Sequence, residues 1–347
     1  MKRRTFLKTV AATSGGIALG YRPVFADPAA PDRQLNAHPS GLPRRMLGRT
    51  GARISIVGYP GFALAKYPQE EGNASLRQAF DAGINYFDVA PAYGNGKAEI
   101  SMGLAMEAMK IPRDQVFLSC KTKRRDGEGA RAELERSLQR LKTDHFDLYQ
   151  LHVVATDKDV QEIFAPGGAM ETLLQARKEG KVRWLGFSAH TKSAALALLK
   201  GYKFDTVMYP INFIEHFTHK FDPEVLAFCR KEGAAAIAIK AVSAGAWKPG
   251  EKKNRNNWWY RTLEEPGEIA QAMRFSLSLD PVVAILPTSF FDITERCIAG
   301  GKAYRPATEP DLAQLRELAG KYAPLFAPKA DATVSFSPHS EYYASHA

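Results

Sequence analysis

An alternation constrains this chain more than any other feature. Eight short apolar runs, at 54–58, 86–88, 116–121, 147–152, 182–188, 206–209, 235–240 and 282–287, are separated by segments of helical periodicity at 70–82, 98–108, 130–141, 169–179, 193–199, 223–232 and 268–279. A further helical pattern covers 311–322. Strands alternating with helices pair in parallel. The runs are nearly continuous in apolar residues, as expected for strands buried on both faces. No GxGxxG follows the first run, which disfavours a dinucleotide-binding Rossmann domain. Eight such units close most simply into a single (β/α)8, or TIM, barrel. A doubly wound open sheet is the alternative.

In such a barrel the chemistry sits at the C-terminal ends of the strands and in the loops that follow. Three successive runs finish in a polar or charged residue: Asp88, Lys121 and His152. Their spacing of about one βα unit predicts that the three lie side by side on one face. Tyr93, in the Gly/Pro loop APAYGNG just past Asp88, hangs over the same face. Taken singly, each has a bland reading: a turn former, a solvated strand end, a core histidine, a loop aromatic. Together they form a coherent set. A free phenol titrates near ~10, and a neighbouring ammonium lowers that value. Asp88 is placed to pair with Lys121, and His152 to orient a substrate oxygen. Such a set protonates a developing alkoxide, as carbonyl reduction requires.

The excess of positive charge is partly local. Five of the 47 Lys and Arg residues, Lys2, Arg3, Arg4, Lys8 and Arg22, fall within the first 26 positions, where there is no acid. The remainder is unexceptional, so no nucleic-acid partner is inferred. Arg3-Arg4 followed by Phe6-Leu7-Lys8, then a mildly apolar stretch, then Val24-Phe25-Ala26, has the order of a cleavable twin-arginine export signal at 1–26. The apolar stretch is too polar to span a bilayer, and no other stretch is long and apolar enough, so no membrane span is expected in the mature protein. A linker is expected at 27–43, the barrel at 44–330 and a polar tail at 331–347. The basic, aromatic loop 246–266 has two readings, a solvated loop or a flap over the barrel mouth, and Trp258-Trp259 tilts the choice toward the flap. Cys120, Cys229 and Cys297 are far apart and form no CxxC, so no metal or iron–sulfur site is expected. Strand alternation turns Cys120 toward the helices.

From Arg45 to Pro287 the sequence resembles the aldo/keto reductase family, through LGRTGARISIVGYPG, GINYFDVAPAYGNGKAE, VFLSCKT, LERSLQRLKTDHFDLYQLHV and EGKVRWLGFSAHT. The resemblance implies a (β/α)8 barrel that reduces an aldehyde or ketone, or oxidises the alcohol, with NADP or NAD. It implies Tyr93 as general acid, Lys121 and Asp88 as its tuning pair, and His152 as the group that orients the carbonyl. It places the cofactor against Gly61, Ser188, Lys240, Ala241, Pro287 and Ser289. The departures gather in that cofactor site. Where the family usually has Ser-Asn, this chain has Ser188-Ala189, followed by His190. Met208 stands for the usual Gln, and Ile239 or Lys240 for the stacking Tyr. Thr288, Thr294, Cys297 and Ile298 take the places that commonly grip the adenosine phosphate. Arg296, Lys302 and the loop 248–255 are the basic residues available as substitutes.

These features predict a periplasmic or secreted oxidoreductase. Its partners are a small carbonyl or sugar-like substrate and, during export, the twin-arginine translocase. Two other readings use the same barrel. One is a binding or sensing protein with a weakened cofactor site; the other is a sugar isomerase or lyase that runs acid/base chemistry without net redox.

Overall fold

The structure, a computed structural model, describes residues 36–248, 250–253, 255 and 258–326. The signal at 1–26, most of the linker and the tail at 331–347 lie outside the described residues. Part of the expected linker is ordered: β1 (Asn36–Ala37) pairs antiparallel with β2 (Pro43–Met46), which pairs in turn with β3 (Arg53–Ser55). A tight turn at 38–41 makes this ribbon, with Gly41 at φ +88°.

Eight parallel strands follow: β4 (Tyr59–Pro60), β5 (Tyr86–Asp88), β6 (Phe117–Thr122), β7 (Phe146–Val154), β8 (Val182–Ala189), β9 (Thr206–Pro210), β10 (Ala235–Ile239) and β11 (Val282–Leu286). They are hydrogen-bonded in sequence order. A parallel bridge from Val57 to Ile285 joins the first to the last, with Gly58 N–H donating to Ile285 O and Ile285 N–H to Ile56 O. The (β/α)8 barrel expected from the alternation is therefore the observed fold. Its first apolar run, 54–58, does not itself form the barrel strand: 54 and 55 belong to β3 of the ribbon, Val57 makes the seam bridge, and the barrel strand begins just past the run, at Tyr59.

Helices α1 (Gln69–Asp81), α2 (Lys97–Ala108), α3 (Gly127–Leu141), α4 (Asp157–Phe164), α5 (Ala169–Lys178), α6 (Lys192–Gly201), α7 (Phe213–His219), α8 (Pro223–Glu232), α9 (Pro266–Ser278), α10 (Phe291–Lys302) and α11 (Glu309–Ala319) accompany the strands. The expected helices recur within a few residues. Three, α4, α7 and α10, are additions. The first two are short, and α10 starts after Phe290 with no side-chain cap and ends beyond a Gly-Gly pair, so its start and stop signals are weak.

Apolar burial is organised in two layers. A large cluster lies between strands and helices, and includes Phe87, Leu118, Tyr149, Phe187 and Ile285. A smaller one fills the barrel interior with Tyr86, Phe117, Leu148, Ile237 and Ala284. Leu47 and Ile54 of the ribbon segment join the interior cluster beside the strand starts, so the ribbon caps the bottom of the barrel. Arg45 fastens it by donating to Leu277 O and Val282 O. The other end stays open to the loops.

Candidate active site

Because parallel strands in register finish at similar heights, Asp88, Lys121 and His152 come together at the open end. Asp88 closes β5 and is buried. Lys121 is completely buried on β6, and its ammonium donates to Asp88 Oδ1. The same ammonium lies 3.4 Å from the Tyr93 hydroxyl and 3.3 Å from Val89 O. The Tyr93 and His152 rings meet edge to face at 5.5 Å. All four residues predicted to carry chemistry therefore form one group.

Three partners of this group are not apparent from the strand ends alone. Ser119 Oγ and the Tyr86 hydroxyl donate to Asp88 Oδ2 at 3.1 and 3.3 Å. Gln150 Nε2 donates to Ser119 Oγ at 2.8 Å and reaches Asp88 Oδ2 at 3.4 Å. These side chains point into the barrel one layer below the mouth, where position in a strand suggests core. With them the carboxylate is held from every side, and it in turn holds Lys121.

Electrostatics alter one expectation. Burial raises the Tyr93 phenol above its ordinary pKa, and the pull of Lys121 only moderates that rise. The expected net lowering by the ammonium is thus outweighed by desolvation. Burial also opposes the charge on Lys121, but the Asp88 carboxylate and the Tyr93 phenol together hold the ammonium's pKa above normal. His152 is driven well below the usual imidazole range by burial, then by Lys121, Lys123, His190 and Lys240. Near neutral pH it is an uncharged imidazole.

The position of His152 depends on a bulge. Pairing between β7 and β8 shifts register between Leu151 and Val154, and Val153 adopts φ +54°, a true outlier for a β-branched residue. Arg125 holds the bulge by donating to His152 O and Val153 O at 3.1 and 3.0 Å, and is itself paired with Asp159 at 2.8 Å. Val153 N–H donates to Ser188 Oγ at 2.8 Å.

Above this group lies a cavity of about 410 Å³, within the size range that accommodates a small organic ligand. Tyr93, His152, Ser188, Lys240, Pro287 and Ser289 all line it, with Met208, Ile239 and Leu286 as an apolar wall. Of the residues expected to hold a cofactor, Gly61 and Ala241 lie outside the lining. Gly61 has a packing role, since a Cβ there would come within 2.4 Å of Asp88 O.

The loop after β10 crosses the mouth, as the flap reading anticipated. Val242, Ala244 and Gly245 pair with Arg261 and Leu263 at its base. Trp258, Trp259 and Tyr260 line the cavity. Trp258 packs against Phe62 and Phe290, and the Lys66 ammonium lies over the Trp258 and Phe290 rings at 3.8 and 3.9 Å. Arg255 is saturated by two carboxylates, Glu264 and Asp292, and Arg296 also pairs with both. The arginines that sequence offered for a cofactor phosphate are therefore already neutralised. Thr288 bonds to Tyr260 and Thr262, and Thr294 to Phe290 O.

A family model described as Aldo/keto reductase family matches residues 56–277. L-galactose dehydrogenase of Arabidopsis thaliana is 30% identical over 157 residues, covering 42% of this chain and 47% of that protein. The chain thus spans about half the length of that relative. NADH-specific methylglyoxal reductase of Escherichia coli is 24% identical over 251 residues, covering 62% of this chain and 74% of that protein. Among solved structures, an aldo-keto reductase from Bacillus halodurans in its holo form superposes with a TM-score of 0.67 at 19% identity, covering 84% of this chain and 99% of that one. At that identity the likeness is one of fold.

Proposed function

The chain belongs to the aldo/keto reductase family, and on that premise we propose that it is an oxidoreductase interconverting a carbonyl and an alcohol with NAD(P)(H), Tyr93 carrying the proton. The observation that carries this reading is the continuous polar chain from Asp88 through Lys121 to Tyr93, with neutral His152 beside the phenol. A raised phenol pKa keeps the acid protonated across the neutral range. Lys121, placed beneath it, stabilises the phenolate left behind when the proton is given up. His152 supplies an uncharged ring to hold the carbonyl oxygen. The names of the two relatives, a dehydrogenase and a reductase, describe the two directions of such a reaction.

The cavity suits the nicotinamide end of the cofactor. Ser188 Oγ accepts from Val153 N–H and keeps its own hydrogen to donate, and Met208, Ile239, Leu286 and Pro287 contribute an apolar wall. When bound, the cofactor supplies or accepts the hydride. The adenosine end fits less well, because Arg255 and Arg296 already serve Glu264 and Asp292. This favours a site without strong selectivity for NADPH, and it is the observation that supports the binding-protein reading as the second choice. Titration with NADH and with NADPH, followed by tryptophan fluorescence, separates the two. Binding of neither supports the second reading, and strong NADPH selectivity would mean that other cations grip the phosphate.

The decisive test of the first reading is Tyr93→Phe, which removes only a hydroxyl. Reduction of 4-nitrobenzaldehyde with the cofactor present should fall by at least about 10²–10⁴-fold, the usual contribution of a positioned acid, while cofactor binding persists. Near-wild-type turnover would sink the assignment. We further propose export through the leader at 1–26. Fractionation of cells making the wild type and an Arg3→Lys/Arg4→Lys variant should show the variant retained inside; equal periplasmic yields would refute it.

A further inference from the structure

We infer that Arg140 of α3, which does not line the cavity, is a positioning residue for the proton donor. Paired with Glu99, it clamps the first turn of α2 and so fixes the loop that presents Tyr93. For the role of Tyr93 this rests on the reductase reading above; the clamp itself does not.

Tyr93 takes its place from α2. Upstream, its N–H donates to Ala90 O at 3.0 Å, within the loop itself. Gly94, Asn95 and Gly96 then run through three consecutive left-handed conformations, at φ +61°, +56° and +89°. Ala98 N–H donates to Tyr93 O at 3.3 Å and Lys97 N–H to Gly94 O at 3.1 Å, so the loop hangs from the first turn of the helix. Helix starts are commonly fixed by a Ser, Thr, Asp or Asn cap. Here the cap is Gly96, which has no side chain to serve. Whatever fixes the start of α2 therefore fixes Tyr93.

Arg140 supplies that fixing from the neighbouring helix. Its guanidinium fills the space beside Gly96, where a Cβ would come within 2.1 Å of Nη1 and 2.5 Å of Cζ. Nη1 donates to Glu99 Oε2 at 2.9 Å. The Glu99 carboxylate is completely buried, and its Oε1 lies 3.6 Å from Sγ of Cys120, next to Lys121. A buried carboxylate is costly unless it is paired. Glu99 has no place in the polar chain from Asp88 to Tyr93, and the clamp accounts for its burial.

The same helix holds the other half of the acid. Glu133 Oε2 accepts from Thr122 Oγ1 at 2.7 Å and from Lys123 N–H at 3.1 Å, gripping β6 just past Lys121. Helices α2 and α3 meet backbone to backbone: a Cβ on Gly103 would come within 2.3 Å of Arg140 O. One base thus sets the phenol against the ammonium. Their separation of 3.4 Å is near the outer limit of a hydrogen bond, so a small drift of the loop breaks the contact. Misplacement of a reacting group by ~1 Å can cost about 10²-fold in rate.

The test is steady-state reduction of 4-nitrobenzaldehyde by the full chain, with saturating NADH or NADPH, whichever binds more tightly. Arg140→Met alone strands a buried carboxylate. Glu99→Gln/Arg140→Met removes clamp and charge together and is the variant to read, with circular dichroism to check its fold. Its kcat should fall by at least about tenfold while KM and cofactor affinity hold, because the cavity lining is untouched. Arg140→Lys keeps a cation for Glu99, and with it the fold, and should recover most of that loss; no recovery would overturn the pairing as the cause. The same double substitution in a Tyr93→Phe background should leave the residual rate unchanged, since no donor remains to be misplaced. Wild-type kcat in Glu99→Gln/Arg140→Met, or an equal fractional loss in both backgrounds, would overturn the proposal. Near-wild-type turnover in Tyr93→Phe alone refutes the reductase reading instead.

Discussion

At the scale of single residues, the site depends on one buried ion pair. Asp88→Asn leaves the Lys121 ammonium without a counter-charge in a fully buried position, a change that typically costs about 3–5 kcal/mol. Urea unfolding should show that loss, and Lys121→Met added to Asp88→Asn should recover much of it. If the single variant is as stable as the wild type, the pair contributes nothing to folding. The pH profile supplies a second expectation. Reduction consumes the protonated phenol, so the rate falls as pH climbs through the Tyr93 pKa. Lys121 moderates a pKa that burial has raised, so Lys121→Met should move the alkaline limb to higher pH while kcat drops. An unmoved or acid-shifted limb would contradict the assigned electrostatics. Asp88, Tyr93, Lys121 and His152 were readable from sequence because each stands at a strand end or in the loop beyond it. Gln150, Ser119 and Tyr86 were not, because alternation along a strand marks a residue as inward without saying what it meets. The net direction of the Tyr93 shift was hidden for a related reason: desolvation depends on packing from several strands at once.

At the scale of elements, the bulge in β7 controls where His152 points, and Arg125 controls the bulge. Arg125 is anchored in turn by Asp159, which also completes a capping box with Thr156 at the start of α4. Burial would raise the Asp159 pKa, but Arg125 and the backbone N–H of Ala155 overcome it and hold the carboxyl at about 2. The folded value lies below the unfolded one, so this group stabilises the fold above pH ~4, and that contribution drains away as pH falls through about 2. Asp159→Asn should flatten the pH dependence of stability in that window. Arg125→Met should lower kcat more than it changes KM, since it touches no substrate and acts by releasing two carbonyls that aim His152. Unchanged kcat would mean that the bulge keeps its shape unaided. The long helices and seven of the eight strands were legible, because periodicity over ten or more residues outweighs local noise. Helix α4 was legible in principle through its capping box. Helix α10 offered no comparable cue, since it begins at an aromatic pair and ends at a glycine pair.

At the scale of the whole molecule, the strap after β10 governs access to the mouth. Its middle is fixed by Arg255 to Glu264 and Asp292, and by Trp258 seated among Phe62, Phe290 and Lys66. Arg255→Gln should loosen it. Chymotrypsin should then cut faster at 258–260, and high salt should speed cleavage of the wild type toward the variant's rate, because ionic contacts near the surface are screened. Equal cleavage of both proteins at low salt would show that aromatic packing alone holds the strap. The basic and aromatic composition of 246–266 announced a cover for the barrel. Which cations remain for a ligand did not follow from composition, because it depends on which carboxylates from α10 and the strap itself reach them first.

The seam of the barrel has a consequence in time. Val57 bridges Ile285, so the ring is completed only by a strand near the end of the fold. A chain leaving the ribosome carries seven strands with two unpaired edges until β11 emerges, and contacts between residues so distant in sequence are slow to form. Shortened chains ending before Val282 should therefore be captured by chaperones or aggregate rather than accumulate as smaller barrels. Birth of the active site and closure of the ring become a single late event, however early its first residues were made.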